Sequence, residues 1–392
     1  MSQAAPIWSS LEAFIASEQP DEPVFFLSPS AVTAGARAFL DGFPGFVTYA
    51  VKANPAPAVL LGLIAAGVRG FDVASPEEIE MLRRLCPEAA LHYHNPIKSR
   101  AELRFALSHD VRTYSVDNRA ELEKMIEVFS AEADPAKIEL SIRFRMPVKG
   151  GAYDFGTKFG ATEDYAVGLM ARAAEAGFVT SLTFHPGTQC KSTEAYVSYI
   201  EAAGRIARGA GVRCARLNVG GGFPGGKSEG APALPVYFAA IKAAAVAAFG
   251  EDHPALVCEP GRGMIANSMA LVTRVKLVRE DGAVFLNDGV YGGLAEAPLT
   301  GTVPVMRACR EDGSAIEGAQ RPCVIFGPTC DSVDRMPGDN DLPAALAEGD
   351  FVIFEGLGAY GTATATRFNG FGPGRTELVE TLRTPEVLAL AA

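Results

Sequence analysis

Two side chains that can carry chemistry stand at the ends of apolar runs in this chain of 392 residues. Lys52 closes the run 47–52, which Asn54 and Pro55 then interrupt. A lysine delivered at the edge of a buried strand can act as a nucleophile through its amine, whereas a lone lysine is more often a solvated one. Glu259 also ends an apolar run and precedes a proline, so we expect a buried carboxylate there.

Three consecutive glycines indicate a binding site for an anion. Gly220, Gly221 and Gly222 follow the apolar run 217–219. Glycines allow backbone N–H groups to converge on a negative charge without interference from Cβ atoms. A triple glycine by itself is most often a turn, so the prediction of a phosphate site also depends on nearby Arg262 and on the fold.

A nucleophilic lysine, a phosphate site and a carboxylate together are typical of a pyridoxal phosphate site. In this hypothesis Lys52 binds the cofactor as a Schiff base, the triple glycine binds its phosphate, and Glu259 holds its ring nitrogen protonated. A protonated ring is the stronger electron sink for a carbanion at the substrate's α-carbon, which decarboxylation requires. His185, at the end of another apolar run, either stacks on the planar cofactor or is a core histidine bonded to backbone groups.

A repeated strand-then-helix pattern must position these residues. Eight such units over roughly 220 residues favour an α/β fold with a (β/α)8 TIM barrel over an open doubly wound sheet. The triple glycine then follows the seventh strand and Glu259 ends the eighth, where barrels usually bind phosphate. The predicted strands are 47–52, 70–74, 91–94, 113–116, 138–144, 181–185, 216–219 and 255–259, and the predicted helices are 57–66, 76–85, 100–108, 119–129, 164–176, 194–210 and 233–249.

The pattern changes after about residue 265 to short β-rich runs separated by Gly, Pro and Asp turns. The sequence therefore predicts a mainly β C-terminal domain over residues 266–392, after a barrel over residues 27–265. Residues 1–26 form an N-terminal segment that we expect to pack with the β domain. The predicted β runs are 270–278, 284–286, 303–309, 323–326 and 351–354.

Composition excludes several classes of function. The formal charge of -11, with no run of Lys and Arg, leaves no electrostatic footprint for nucleic acid and suits a cationic substrate. The start lacks the pattern of a signal peptide, and no apolar stretch approaches about 18 residues, so we expect a cytoplasmic protein without a membrane partner. The seven scattered cysteines include no C-x-x-C pair and no histidine spacing suited to zinc, so we expect reduced thiols and no metal.

Six motifs, in order along nearly the whole chain, resemble the fold-type III pyridoxal phosphate decarboxylases, and most closely the group IV ornithine/lysine decarboxylases. The resemblance implies an alanine racemase-like fold and a homodimer with shared active sites. It also implies release of CO2 from a small basic amino acid, ornithine or lysine. The motifs are Tyr-Ala-Val-Lys-Ala-Asn at 49–54, Phe-Asp-Val-Ala-Ser at 71–75, Gly-Gly-Gly-Phe-Pro at 220–224, Glu-Pro-Gly-Arg at 259–262, Gly-Pro-Thr-Cys-Asp at 327–331 and Gly-Ala-Tyr at 358–360.

The resemblance also implies roles for individual residues. Lys52, His185, Glu259 and Cys330 would be catalytic, with Cys330 the acid that reprotonates the α-carbon, and Glu78 would lie on the cofactor side. Substrate contacts would come from Tyr291, Glu296, Thr300 and Asp331. The implied cofactor-binding residues are Lys52, Asp72, Arg143, His185, Thr188, Gly220, Gly221, Gly222, Glu259, Gly261, Arg262 and Tyr360.

One departure from the family puts the identity of the substrate in doubt. Relatives that act on ornithine have an acidic residue about ten positions beyond the Asn-Asp-Gly-Val-Tyr motif, which here occupies 287–291. In this chain no acid follows Glu296 in the stretch 292–302, and Thr300 falls near the expected carboxylate. A diamino acid with a modified or differently placed distal group is therefore an alternative substrate.

Other members of the same scaffold remain as alternatives. A carboxynorspermidine or diaminopimelate type of decarboxylase is one, although Cys330-Asp331 stands where diaminopimelate enzymes tend to have Cys-Glu. Racemases share the barrel but lack the Gly-Pro-Thr-Cys-Asp stretch. A non-catalytic regulatory relative is disfavoured because Lys52, Glu259, Cys330 and Tyr360 are all retained.

Overall fold

The computed structural model describes residues 6–147, 157–226, 228, 230–301 and 303–383. The chain divides into two compact units. We call Ala36–Pro224 with Ser228–Met264 the barrel unit, and Met1–Gly35 with Gly225–Lys227 and Ile265–Ala392 the β unit. Thr302, the last residue of the stretch considered after Tyr291, and the first five residues lie outside the described ranges.

The barrel unit contains a closed barrel of eight parallel strands, as predicted. Each strand pairs with the next along the chain, and the eighth closes the barrel by pairing Val257 with Phe46 and Cys258 with Val47 of the first. The strands, numbered one to eight in this order, are Phe46–Ala50, Gly70–Val73, Ala90–Tyr93, Thr113–Val116, Glu139–Arg143, Val179–Thr183, Arg216–Asn218 and Ala255–Cys258.

Helices follow the strands because their sequences carry both an apolar face and start signals. Ser75 accepts the Glu78 N–H and Pro76 occupies the first helical position, where its missing N–H costs nothing. Ser99 and Glu102 form a capping box for the next helix. The helices are Leu11–Glu18, Pro29–Leu40, Pro57–Ala66, Pro76–Leu85, Arg100–Ser108, Arg119–Glu132, Glu163–Glu175, Thr193–Ala210, Leu234–Phe249, Arg262–Ile265 and Glu296–Thr300.

Several predicted barrel strands were too long at their carboxyl ends. The first ends at Ala50, and Lys52 lies in the 3-10 turn Val51–Ala53, which the hydrogen bond from Asn54 N–H to the Val51 carbonyl closes at 3.1 Å. The first strand pairs with the second only as far as Ala50, so the chain turns there. The sixth and eighth strands likewise end two residues before His185 and one before Glu259.

The β unit is organised around the long strand Met269–Val278. This strand pairs antiparallel with Val24–Leu27, Phe351–Glu355 and Val284–Leu286. Val24–Leu27 also pairs with Thr376–Val379, which ties both ends of the chain into the sheet. The remaining strands of the unit are Ile7–Trp8, Met306–Cys309, Gln320–Cys323, Ile325–Phe326 and Asn340–Pro343.

Two predictions for the β unit were wrong in detail. The predicted run 323–326 is divided, because Gln320–Cys323 pairs with Asn340–Pro343 in a separate two-stranded sheet while Ile325–Phe326 pairs with Val284–Leu286. The predicted run 303–309 begins only at Met306. Pro304 lacks the N–H that a paired strand position needs, which explains the later start.

Helix Leu11–Glu18 covers the sheet of the β unit with an apolar face. Ser10 caps this helix by accepting the Ala13 N–H at 3.1 Å. Its inward side chains join a buried cluster of apolar residues, Leu11, Phe14, Ile15, Val24, Phe26, Ala270, Val272, Cys309, Phe351, Ile353 and Val379. No helix in the described ranges is both long and apolar enough to cross a membrane.

Candidate active site

The turn that carries Lys52 packs against the loop after the eighth strand. The Ala50 N–H donates to the Pro260 carbonyl at 3.2 Å. A Cβ at Gly261 would lie only 2.8 Å from the Cβ of Ala53, so only glycine permits this approach. The Lys52 side chain itself is exposed. Close packing of the two loops therefore fixes the backbone of Lys52, while its side chain remains exposed.

Charged groups from several strands surround Lys52. Burial and the nearby Glu259 raise the pKa of Asp72 to about 7, although the Lys52 ammonium opposes this rise. Burial, together with the positive charges of Lys52 and Arg143, lowers the pKa of His185 to about 3. His185 is therefore neutral at physiological pH. A neutral imidazole is compatible with the predicted stacking on a planar cofactor. The structure brings these five predicted residues together at one end of the barrel.

Glu78 and Arg143 have defined neighbours in the same region. Glu78 Oε2 accepts the Ala74 N–H at 2.7 Å. Burial raises the pKa of Glu78, and the Ala74 hydrogen bond and Lys52 oppose it. The guanidinium of Arg143 lies 5.4 Å from the ring centre of Phe159, within range of a cation–π contact. Burial lowers the pKa of Arg143, which Glu259 opposes.

The triple glycine has no room for side chains. Gly220 and Gly222 have φ values of +67° and +85°, in the left-handed region that favours glycine. A Cβ at Gly221 would lie 2.7 Å from the Glu259 carbonyl oxygen and 3.4 Å from His185 Nε2. The backbone therefore passes directly beside two of the predicted catalytic residues.

The N–H groups of the triple glycine are not equivalent. Gly220 N–H donates to Asn218 Oδ1 at 2.9 Å, so it is engaged within the protein. Among the described residues, neither the Gly221 N–H nor the Gly222 N–H donates a hydrogen bond to a backbone carbonyl. Thr188 lies half-buried in the loop with His185, and Arg262 is half-buried after the eighth strand. A cradle that a Cβ would fill, an accessible lysine and a buried carboxylate fit a phosphorylated pyridine aldehyde.

Glu259 lies in a hydrogen-bond network that the sequence analysis missed. His94 Nδ1 and Asn218 Nδ2 both contact Glu259 Oε1. Burial opposes ionisation of Glu259, but His94, Lys52 and Asn218 together outweigh it and lower the pKa of Glu259 to about 2. His92 and His94 alternate along the third strand and its end, and this period of two could have indicated two imidazoles facing the barrel interior.

The donor atoms of His92, His94 and Glu259 lie within 4.8 Å of one another. Ligand atoms around an ion bonded at about 2.0 Å must lie roughly 3 Å or more apart. His94 Nδ1 and Glu259 Oε1 are instead in direct hydrogen-bond contact, with no space for an ion between them. We therefore interpret the cluster as a hydrogen-bonded network.

The β unit holds a second group of predicted residues. The Tyr291 hydroxyl donates to Asp331 Oδ2 at 2.7 Å. Cys330 is an exposed free thiol, and its Sγ lies 3.2 Å from Asn369 Oδ1. Buried Asp334, which the sequence analysis also missed, positions both loops. It accepts the Val290 N–H at 2.9 Å and the Thr329 N–H and hydroxyl at 3.0 and 2.7 Å.

Glu296, Thr300 and Tyr360 also lie in the β unit. Glu296–Thr300 is a short helix, in which the Thr300 hydroxyl donates to the Glu296 carbonyl at 3.0 Å. Tyr360 follows the strand Phe351–Glu355 and has a positive φ of 59°. Both Thr300 and Tyr360 are half-buried. The side chain of Thr300 is thus partly committed to its own helix.

Comparison with known proteins agrees with this fold. The profile of the family described as "Pyridoxal-dependent decarboxylase, pyridoxal binding domain" matches residues 30–266, which span the barrel and both chemical motifs around Lys52 and Glu259. The chain therefore belongs to the pyridoxal-dependent decarboxylases. It is an enzyme of the fold-type III class, and its cofactor is pyridoxal phosphate.

The chain is similar to individual members of this family that are named for basic amino acids. It is 34% identical to the lysine/ornithine decarboxylase of Selenomonas ruminantium, over 83% of this chain and 81% of that protein. The crystal structure of the lysine/ornithine decarboxylase of Vibrio vulnificus, complexed with putrescine, has a TM-score of 0.80 at 28% identity and covers 94% of this chain and 96% of its own. The Paramecium bursaria Chlorella virus arginine decarboxylase has a TM-score of 0.83 at 27% identity, with 93% and 98% covered.

Proposed function

We propose that this enzyme removes CO2 from a basic amino acid, ornithine or lysine, and produces the corresponding diamine. The observation that carries the proposal is the Tyr291–Asp331 pair in the β unit. The Tyr291 hydroxyl lowers the pKa of Asp331, and the Val333 N–H lowers it further, so this carboxylate stays anionic. An anionic carboxylate held by a hydrogen bond suits a distal ammonium group. Relatives named for lysine, ornithine and arginine support the same class of substrate.

Binding and orienting the cofactor is assigned to residues of the barrel unit, with Tyr360 as a contribution from the β unit. Lys52 would attach the cofactor covalently, and His185 would stack on its ring. Arg143 and Asp72 would set the charge around the ring, with Glu78 on the same side. Glu259 would keep a proton at the ring nitrogen. The phosphate is assigned to the Gly221 and Gly222 N–H groups, Thr188, Gly261, Arg262 and Tyr360.

When bound, pyridoxal phosphate supplies an electron sink for the electron pair left on the α-carbon as CO2 departs. Cys330 would donate a proton to that carbon, a role that suits an exposed thiol. Asp331 and Tyr291 are assigned to binding the distal ammonium group, with Glu296 and Thr300 as further candidate substrate contacts. Burying an ammonium group without such a partner costs a few kcal/mol.

We also propose that the active form is a homodimer, in which Cys330 and Asp331 complete the site of the partner subunit. The test mixes Lys52→Ala chains with Cys330→Ala chains. Random reassortment makes half of the dimers mixed, and each mixed dimer has one intact site of two, so activity should recover to about a quarter of wild type. Absence of recovery in an isolated mixed dimer would contradict the shared site.

The test of the proposed reaction is a CO2-release assay over a panel of carboxyl-labelled amino acids. The panel contains ornithine, lysine, arginine, diaminopimelate and N-substituted diamino acids. The proposal predicts the fastest release from ornithine or lysine. Preference for an N-substituted diamino acid would favour the alternative that Thr300 suggests, and no release from any member would contradict the proposal.

A further inference from the structure

His94 holds the carboxylate of Glu259 from inside the barrel. Its Nδ1 contacts Glu259 Oε1, and Asn218 Nδ2 contacts the same oxygen. The side chains of His94 and Glu259 are only 6% and 11% exposed. Among the described residues every hydrogen bond of this carboxylate is at Oε1. The second oxygen, Oε2, is therefore the one left to face a ring nitrogen.

The position of His94 is itself fixed by the barrel. Its backbone N–H donates to the Val73 carbonyl at 3.2 Å, and its carbonyl accepts the Ser115 hydroxyl at 3.0 Å. Its ring lies 5.3 Å from that of His92, at 36°. The backbone of His94 is thus held by hydrogen bonds to the second and fourth strands, which places its imidazole against Glu259.

We propose that His94 is a positioning residue that controls protonation of the cofactor's ring nitrogen through Glu259. The inference rests on the proposed role of Glu259 opposite that nitrogen. A neutral His94 donates its Nδ1–H and only orients the carboxylate. A protonated His94 also compensates the charge of the Glu259 carboxylate. The His94 imidazolium and the protonated ring nitrogen then compete for this one carboxylate.

The charges around His94 favour this titration. Burial lowers the pKa of His94, but Glu259 and then Asp72 and Glu139 raise it, and the net pKa lies above its ordinary value. His92 does not compete, because burial and His94 lower its own pKa well below the ordinary value. The charged and polar groups that face this pair from neighbouring strands are Asp72, Glu139, Arg216, Asn218 and Glu259.

Competition for one carboxylate has a defined sign. A proton on His94 lowers the proton affinity of the ring nitrogen, and a proton on the ring nitrogen lowers the proton affinity of His94. Thermodynamic linkage makes these two effects equal. As pH rises through the pKa of His94, the imidazole loses its proton and Glu259 offers its full charge to the ring nitrogen. The ring nitrogen should therefore hold its proton more firmly above that pH than below it.

The experiment is a pH titration of the holoenzyme carrying cofactor labelled with 15N at the ring nitrogen. Over about pH 6 to pH 9, the 15N chemical shift of the wild-type holoenzyme should change in one step, with its midpoint at the pH where His94 loses its proton. In His94→Gln, whose amide can donate but does not titrate, the step should be lost. In the matched control His92→Gln the step should remain. An identical step in wild type and His94→Gln would overturn the proposal.

A second measurement needs no variant and covers the case in which His94→Gln does not fold. Histidine resonances of the wild-type holoenzyme are titrated in parallel, and one of them should share the midpoint of the ring nitrogen. A ring-nitrogen step with no matching histidine would contradict the proposal. The outcome is also separable from the proposed function, because the 15N titration contains no substrate. If the enzyme releases CO2 from a basic amino acid but His94→Gln leaves the 15N step unchanged, this inference alone is refuted.

Discussion

The Tyr291 hydroxyl donates a hydrogen bond to Asp331 Oδ2 over 2.7 Å, and this contact joins two sequence motifs that lie forty residues apart. The Tyr291 ring packs on Phe368, with ring centres 4.6 Å apart. The same hydrogen bond raises the pKa of Tyr291 and lowers that of Asp331. The pair therefore presents a fixed anion, although both residues come from loops.

Asp331→Asn should reduce kcat/KM for any substrate with a distal ammonium group by at least about tenfold, because the cation then lacks an anionic partner. The measurement is steady-state CO2 release from ornithine and lysine. Asp281→Asn is the control, since Asp281 is an exposed acid of the β unit paired with Arg279. Equal losses in both variants, or unchanged turnover in Asp331→Asn, would contradict the assigned pocket.

Thr300→Asp should raise kcat/KM for ornithine, because the resemblance implies a carboxylate near this position in relatives that act on ornithine. The new charge stands at the end of helix Glu296–Thr300 and should cost about 0.5 kcal/mol of stability. Thr300→Asn has the same size without the charge and should not raise the rate. If both variants behave alike, Thr300 does not stand in for the missing acid.

Lys52→Ala should abolish the visible absorbance of bound cofactor and reduce turnover by several orders of magnitude, because the covalent attachment is lost. Lys158→Ala is the matched control, since Lys158 lies against the ring of Phe159, at 5.0 Å, and has no assigned role. Borohydride fixation of the cofactor followed by peptide mapping identifies the attachment site. Fixation on Lys158 or on buried Lys98 would refute the assignment.

Gly221→Ala should weaken cofactor binding by at least about tenfold. A Cβ 2.7 Å from the Glu259 carbonyl oxygen must shift the backbone of the triple glycine, and with it the N–H groups assigned to the phosphate. The readout is the cofactor concentration needed to restore absorbance after dialysis. Gly168→Ala has open space around its Cβ in helix Glu163–Glu175, and should leave binding unchanged while stabilising the helix by up to about 1 kcal/mol. Equal cofactor affinity in both variants would exclude the triple glycine as phosphate site.

The barrel could be predicted because its pattern is local. The helices Pro57–Ala66 and Pro76–Leu85 have the predicted bounds, since proline and capping signals mark their starts. The ends of strands were less predictable, because a strand ends where its neighbour stops pairing. Lys52 lies beyond the first strand for this reason.

The candidate site was predictable where a residue carries its own chemistry, as Lys52 and Glu259 do. The supporting residues were not. His94 contacts a carboxylate 165 positions away, and only the closure of the barrel brings the two together. Asp334 binds the loops of Tyr291 and Asp331 through backbone N–H groups, which leave no signal in the sequence.

The most direct test of the central claim compares amino acids that differ only in the distal ammonium group. CO2 release is measured for ornithine against norvaline and for lysine against norleucine, with purified enzyme saturated with pyridoxal phosphate. The account predicts release from ornithine or lysine with kcat/KM at least about a hundredfold above that of the neutral partner. Equal rates within each pair, or no release from either basic amino acid, would contradict it.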